Sequence, residues 1–132
     1  MSQENVEAVR AVFEEWEKGD LGAGSDRFDP NILMVLSEDF PDAGSYLTPA
    51  GLEGYTRGFL AAWTKLTIRA EELMEAGDSV VVKLHQLGVG RGSGAPSELR
   101  YFQVWTFRGE MVIRIDALLT RAEALEAVGL KE

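Results

Sequence analysis

Apolar residues recur along this chain at two spacings, one helical and one extended, and the change from one to the other lays out the elements. Val6, Val9, Val12 or Phe13, and Trp16 follow helical spacing, which predicts a helix from about Gln3 to Lys18 with one buried stripe. Ser2 stands where an N-cap is needed, Asn5 leaves the capping box incomplete, and Gly19-Asp20 ends the helix. Leu21 to Phe28 reads as a loop or short helix. Past Asp29-Pro30, the short apolar run Ile32 to Leu36 lies between turn-formers and predicts a buried strand. Ser37 to Ala50 carries Pro41, Gly44 and Pro49 and predicts a loop without regular structure. Leu52, Tyr55, Phe59 and Ala62 or Trp63 then share one face of a second helix, from about Gly51 to Thr64.

The second half of the chain alternates with a period of two, as strands do. Lys65 to Ala76 predicts a strand, although Glu71 to Ala76 alone would also suit a helix. Gly77-Asp78 turns it into Ser79–Gly88, where Val80-Val81-Val82 is strongly strand-forming. Gly90 to Gly94 is a flexible hairpin tip; it lacks the strand-to-helix setting and the lysine of a phosphate loop. A strand from Glu98 turns at Arg108-Gly109-Glu110 into Met111 to Leu119, and a short helix, Arg121 to Val128, stops at Gly129. Helices segregated from four consecutive long strands imply one α+β domain over residues 1–132, built on a largely antiparallel sheet. Long strands curl, and helices on the concave side leave a conical interior open at one end, where small molecules tend to bind.

Composition narrows the functions. Length 132 with 45% hydrophobic residues suffices for a core without staples. Zero cysteines exclude disulfides and thiolate metal sites. A net charge of −9 argues against nucleic-acid or anionic-membrane partners. No run approaches a bilayer span and the first residues are polar and acidic, so a cytoplasmic location without a signal peptide is expected. With a single histidine and no acidic cluster around it, neither a metal nor another cofactor is expected.

The candidate chemistry starts at Gln103. Leu99, Tyr101, Trp105 and Phe107 share a strand face with it, and an amide among such groups needs a hydrogen-bond partner, a bound ligand being one. Tyr101, two residues away on that face, is a second donor, so both are candidates for polarising one ligand oxygen. His85 is the only side chain that titrates near neutrality, and its parity is open. With Val80, Val82, Leu84 and Gln86 inward, His85 and Lys83 are outside; the opposite register makes His85 a positioned base but buries Lys83. On the last strand Ile113, Ile115, Ala117 and Leu119 form the apolar set that should face the cavity, which sends Asp116 outward beside Arg114. Trp16, Met34, Phe59, Trp63 and Trp105 would supply apolar walls, and Tyr46 a further donor. Phe102, Val104 and Leu118 fall on the far side of the sheet, where an apolar patch rimmed by Arg100, Arg114 and Asp116 suggests a symmetric homodimer.

The layout resembles the nuclear transport factor 2-like superfamily and, within it, the SnoaL-like branch named for a polyketide cyclase. The likeness rests on Val6–Leu21, Gly51-Leu52-Glu53-Gly54, Glu71–Val82 with its Ala-Gly-Asp turn, Gly88–Gly94, Val104-Trp105-Thr106 and Arg121–Leu130. It implies a cystatin-like α+β barrel: a curved mixed, mainly antiparallel sheet with helices on its concave face forming a conical pocket. Ketosteroid isomerases, dehydratases, epoxide hydrolases and cyclases share this fold with non-catalytic modules, so fold leaves function open. By the resemblance, Gln103 falls where the isomerases carry a protonated acid that hydrogen-bonds a developing enolate. The isomerases' base and tyrosine positions fall near Leu36 and Val12, both apolar, while Ser37, Glu38 and Asp39 sit near the cavity mouth. An epoxide hydrolase aspartate falls nearest Ala117, and a slip of one residue would put it at Asp116.

Three functions therefore stand at this point. One is an isomerase, cyclase or dehydratase moving a proton on a ring-containing carbonyl compound, through Gln103, Tyr101 and His85 or Glu38. Another is a non-catalytic pocket for an apolar metabolite. The last is a dimerisation module whose cone is filled by its own side chains.

Overall fold

The structure, a computed structural model, describes residues 2–130, apart from the side chain of Ser2, so the capping role expected of that side chain lies outside the described residues. Helix α1 (Ser2–Glu17) precedes strands β1 (Phe28–Leu36) and β2 (Gly44–Leu47). Helix α2 (Thr48–Ala61) leads to β3 (Trp63–Ala76), β4 (Ser79–Gly90), β5 (Pro96–Arg108) and β6 (Met111–Leu118), and α3 (Arg121–Ala127) follows. The six strands form one open sheet in the order β2-β1-β6-β5-β4-β3, antiparallel except for the β1–β6 pair. This is the expected α+β, mainly antiparallel architecture.

The expected loop over Ser37 to Ala50 is partly ordered. Gly44–Leu47 pairs with β1 as a four-residue edge strand, too short and too polar for alternation to reveal. Helix α2 begins at Thr48 rather than Gly51, with Pro49 in the first turn, where its missing N–H costs nothing. Thr48 takes a φ of 66°, rare for a β-branched residue, and its hydroxyl accepts from the Gly51 N–H at 3.2 Å. The helix ends at Ala61, so Trp63 and Thr64 open β3 instead of closing α2.

Helices α1 and α2 cover one face of the sheet, called inner below. Val6, Val9, Val12 and Phe13 of α1 pack there against Val80, Val82, Leu84 and Trp105 of the sheet. Each such side chain stabilises the fold by about 1.5–3 kcal/mol when fully buried. Helix α3 covers the other, outer face: Ala124 and Val128 pack on Val81, Phe102, Val104 and Leu118. The apolar patch expected there as a partner surface is thus largely closed by the chain's own last helix. Thr120 and Glu123 form a full capping box at its start, and Arg121 pairs with Glu72 at 3.0 Å.

Two bulges set which residues point where. Between Ala70 and Glu72 the β3–β4 register slips, so Leu73 faces inward and Met74 outward. That slip breaks the simple alternation that made Glu71 to Ala76 ambiguous. Between Thr106 and Phe107 the β5–β6 register slips as well, and Val112, not Ile113, joins Ile115 and Ala117 in the inner core.

Candidate functional site: a cavity on the inner face

Between the inner face of the sheet and α2 lie two voids, of about 360 Å³ and about 530 Å³. Both fall in the size range of small-molecule sites. They share Trp16, Leu21, Met34, Thr56 and Gln103 in their walls. Neither space is filled by the side chains that line it.

Local sequence explains how the walls are held. The Trp16 indole N–H donates to the Ala23 carbonyl at 3.2 Å, which ties the end of α1 to the loop after it. Trp63 lies over Gly88, where a Cβ would come within 2.5 Å of the ring. Only glycine admits that approach. The glycine-rich hairpin tip helps hold this wall. From it Arg91 donates to the carbonyls of Ala61 and Trp63, both at 3.0 Å, closing the C-terminal end of α2. Phe59, Tyr101 and Ala117 line the smaller void with Trp63, and Ile115 lines the larger one.

Gln103 is 5% exposed. Its cross-strand neighbours are Val82 and Ala117, neither of which offers a polar side chain. Its Oε1 accepts from the Trp105 indole N–H at 2.8 Å. An indole nitrogen only donates, so the atom it meets is the amide oxygen and the NH2 end is left over. Among the described residues no acceptor meets that NH2. One end of Gln103 thus belongs to the core and the other is a free donor in the cavity wall.

Tyr101 donates its hydroxyl to Gln86 Oε1 at 3.0 Å, and Gln86, 6% exposed, lines the smaller void beside it. Burial pushes the Tyr101 hydroxyl well above the ordinary tyrosine range, and the negative charge of Asp42 pushes the same way. Tyr101 therefore stays protonated, but it spends its proton on Gln86 rather than sharing one ligand oxygen with Gln103.

The sequence reading missed Asp42. It is the one carboxylate in the wall of the smaller void, and it accepts from the Tyr55 hydroxyl at 2.6 Å. Burial first, then this hydrogen bond and the Asp42 charge, raise the Tyr55 hydroxyl far above its ordinary value. The two residues lie 13 apart, on the loop after β1 and on α2, and the apolar spacing around Tyr55 marked it only as wall. The signal available was Asp42 itself, an acid following Pro41 in a loop next to the predicted cavity mouth.

Three expected site residues lie elsewhere. His85 is on the outer face, because Val80, Val82 and Leu84 face the core and the strand alternates. It pairs there with Glu98 at 2.6 Å, near Glu71 and Arg100. Tyr46 packs at a tilt against Tyr55, 4.6 Å between ring centres, and donates to the Asp42 carbonyl at 3.3 Å, behind the lining. Trp105 is 1% exposed and sits beneath the wall, packed by Phe13, Trp16 and Phe28. Asp116 points outward as expected, held by Arg114 at 2.9 Å. Among the described residues, no group of three or more His, Asp or Glu side chains is arranged to hold a metal ion. No described helix is long and apolar enough to cross a membrane.

Residues 9–115 match the family model of the SnoaL-like domain. Among solved structures the chain is similar to TerC co-crystallised with polyporic acid, with a TM-score of 0.74 at 20% identity over 94% of this chain and 97% of that one. An NTF2-like protein from Burkholderia pseudomallei K96243 gives a TM-score of 0.77 at 16% identity, covering 95% of this chain and 97% of that one. A putative SnoaL-like polyketide cyclase from Jannaschia sp. CCS1 gives 0.73 at 16% identity, covering 99% and 95% respectively. At these identities the structural likeness establishes the fold alone. No curated protein matches this chain.

Proposed function

The chain belongs to the SnoaL-like domain family, and from that footing we propose that its inner cavity binds a small, ring-containing carbonyl compound and moves a proton on it. The observation that carries this reading is the unpaired Gln103 NH2 in the wall of a mainly apolar void that also holds one carboxylate, Asp42. The amide donates to the carbonyl oxygen and stabilises negative charge that develops there, as an oxyanion hole does. Asp42 takes the proton from the adjacent carbon. Neither tyrosine is the base, since both Tyr55 and Tyr101 are held protonated. The Tyr55 hydroxyl orients the Asp42 carboxylate. Among the similar structures, a putative SnoaL-like polyketide cyclase and TerC co-crystallised with polyporic acid support this class by analogy.

A second reading, binding without turnover, is favoured by one observation: the Asp42 carboxylate is already engaged by Tyr55 at 2.6 Å. Hydrogen–deuterium exchange separates the two. A bicyclic ketone with acidic α-protons, such as 2-tetralone, is incubated with the protein in D2O and its α-exchange followed by NMR. Proton transfer predicts exchange above the buffer rate that falls by about 100-fold or more in Asp42→Asn, the usual scale of a positioned base. Binding of the ketone without any enhanced exchange leaves the non-catalytic reading.

A further inference from the structure

We propose that Trp105 is a positioning residue that fixes the chemical sense of the cavity: by occupying Gln103 Oε1 it makes the amide a donor only, so the ligand must meet it with an acceptor. This deepens the function proposed above and rests on the cavity binding a small molecule.

A glutamine amide is nearly symmetric in shape and opposite in chemistry at its two ends. Left alone in a cavity wall, it rotates to suit whatever arrives, offering N–H to a carbonyl or C=O to an N–H or O–H group. Gln103 is not left alone. The indole N–H of Trp105, two residues along the same strand face, reaches its oxygen at 2.8 Å. Rotating the amide would set its NH2 against the indole N–H, leaving two buried donors facing each other and the 2.8 Å bond lost. The indole cannot turn away, since Phe13, Trp16 and Phe28 surround its ring with centroids 5.7 to 6.2 Å off. Val82 and Ala117, beside Gln103 across the strands, provide no polar atom that would tie down the NH2 instead. The ligand group at this point is therefore a carbonyl, ether or unprotonated ring nitrogen rather than an N–H.

Three planar tricyclic probes of similar shape test the inference: fluorenone carries an acceptor, carbazole an N–H donor, and fluorene neither. Affinities are measured by titration calorimetry or tryptophan fluorescence on the wild type, Trp105→Phe and Gln103→Leu. The wild type should bind fluorenone about tenfold more tightly than fluorene, the ratio that one ordinary hydrogen bond supplies. Gln103→Leu should abolish that advantage. In Trp105→Phe the amide is free to rotate, so carbazole should gain several-fold relative to fluorene. Any contact of the carbazole N–H with Asp42 is common to both proteins and cancels in the comparison. A lost packing contact alone would weaken all three probes together and leave their ratios unchanged.

An unchanged carbazole-to-fluorene ratio in folded Trp105→Phe overturns the lock while leaving the pocket standing. If Trp105→Phe does not fold, the wild type and Gln103→Leu decide, and equal binding of fluorenone and fluorene by the wild type overturns the inference. Failure of the wild type to bind any of the three overturns the proposed pocket itself.

Discussion

The two faces of the sheet carry polar groups in opposite states. On the outer face polar and charged groups are partnered by neighbours: His85 with Glu98, Glu71 with Arg100, Glu72 with Arg121 and Asp116 with Arg114. Arg100 holds the Glu71 carboxyl below the ordinary range chiefly by hydrogen bonding, and Arg121 does the same for Glu72. On the inner face the polar groups are mostly neutral and only partly satisfied. Gln103 has a bonded oxygen and a free NH2, and Trp63 Nε1 is buried with no acceptor. A polar cluster that satisfies itself explains its own presence. A half-satisfied amide beside a void has a donor to spare. The contrast moves attention from His85, partnered on the outer face, to Gln103 and Asp42 in the cavity wall.

The largest test of the contrast is mechanical. Leu84 and Lys83 are adjacent on β4 but face opposite ways, Leu84 fully buried in the inner core. Leu84→Ala should cost about 2–5 kcal/mol in denaturant unfolding, as cavity-forming core truncations do. Lys83→Ala, on the outer face, should cost less than about 1 kcal/mol. Similar losses at both positions would erase the distinction between the faces.

A finer test is pH. Tyr55 and Tyr101 have folded pKa values above their unfolded value of about 10. The stability they contribute is complete below that pH and is lost as pH climbs from there toward the raised values. Glu71 and Glu72 have folded pKa values below their unfolded ones, so their contribution is complete above the ordinary carboxylate range and is lost as pH falls through the lowered values. Urea midpoints measured across pH should therefore show an alkaline decline that Tyr55→Phe flattens and an acid decline that Arg100→Ala flattens. Each variant should leave the other limb in place; a Tyr55→Phe protein with an unchanged alkaline limb would remove the inner-face half of this picture.

Much of this was legible in sequence, for reasons that also mark its limits. Gln103 stood out because strand alternation is strict where no bulge intervenes, and β5 runs unbroken from Leu99 to Trp105. The cost of burying Lys83 weighed toward an outward His85 but left its parity open, and the candidate base lies on the outer face. Ile113 was misplaced because a bulge changes parity without changing composition. Asp42 and Tyr55 meet only through the placing of α2 over the loop after β1, a tertiary fact that no local period encodes. Helix α3 was visible as a helix, but its seven residues do not say which face of the sheet they cover. That choice decides whether Phe102 and Val104 are partner surface or core, and here they are core.

In the proposed site Gln103 offers a hydrogen-bond donor to a carbonyl in the inner cavity. Difference infrared spectroscopy of bound fluorenone reads this directly, because a carbonyl stretch moves to lower wavenumber when the oxygen accepts a hydrogen bond. The band should shift down on binding to the wild type and return to its apolar-solvent position in Gln103→Leu. A carbonyl band at the same position in both proteins, with fluorenone bound to each, would contradict the account.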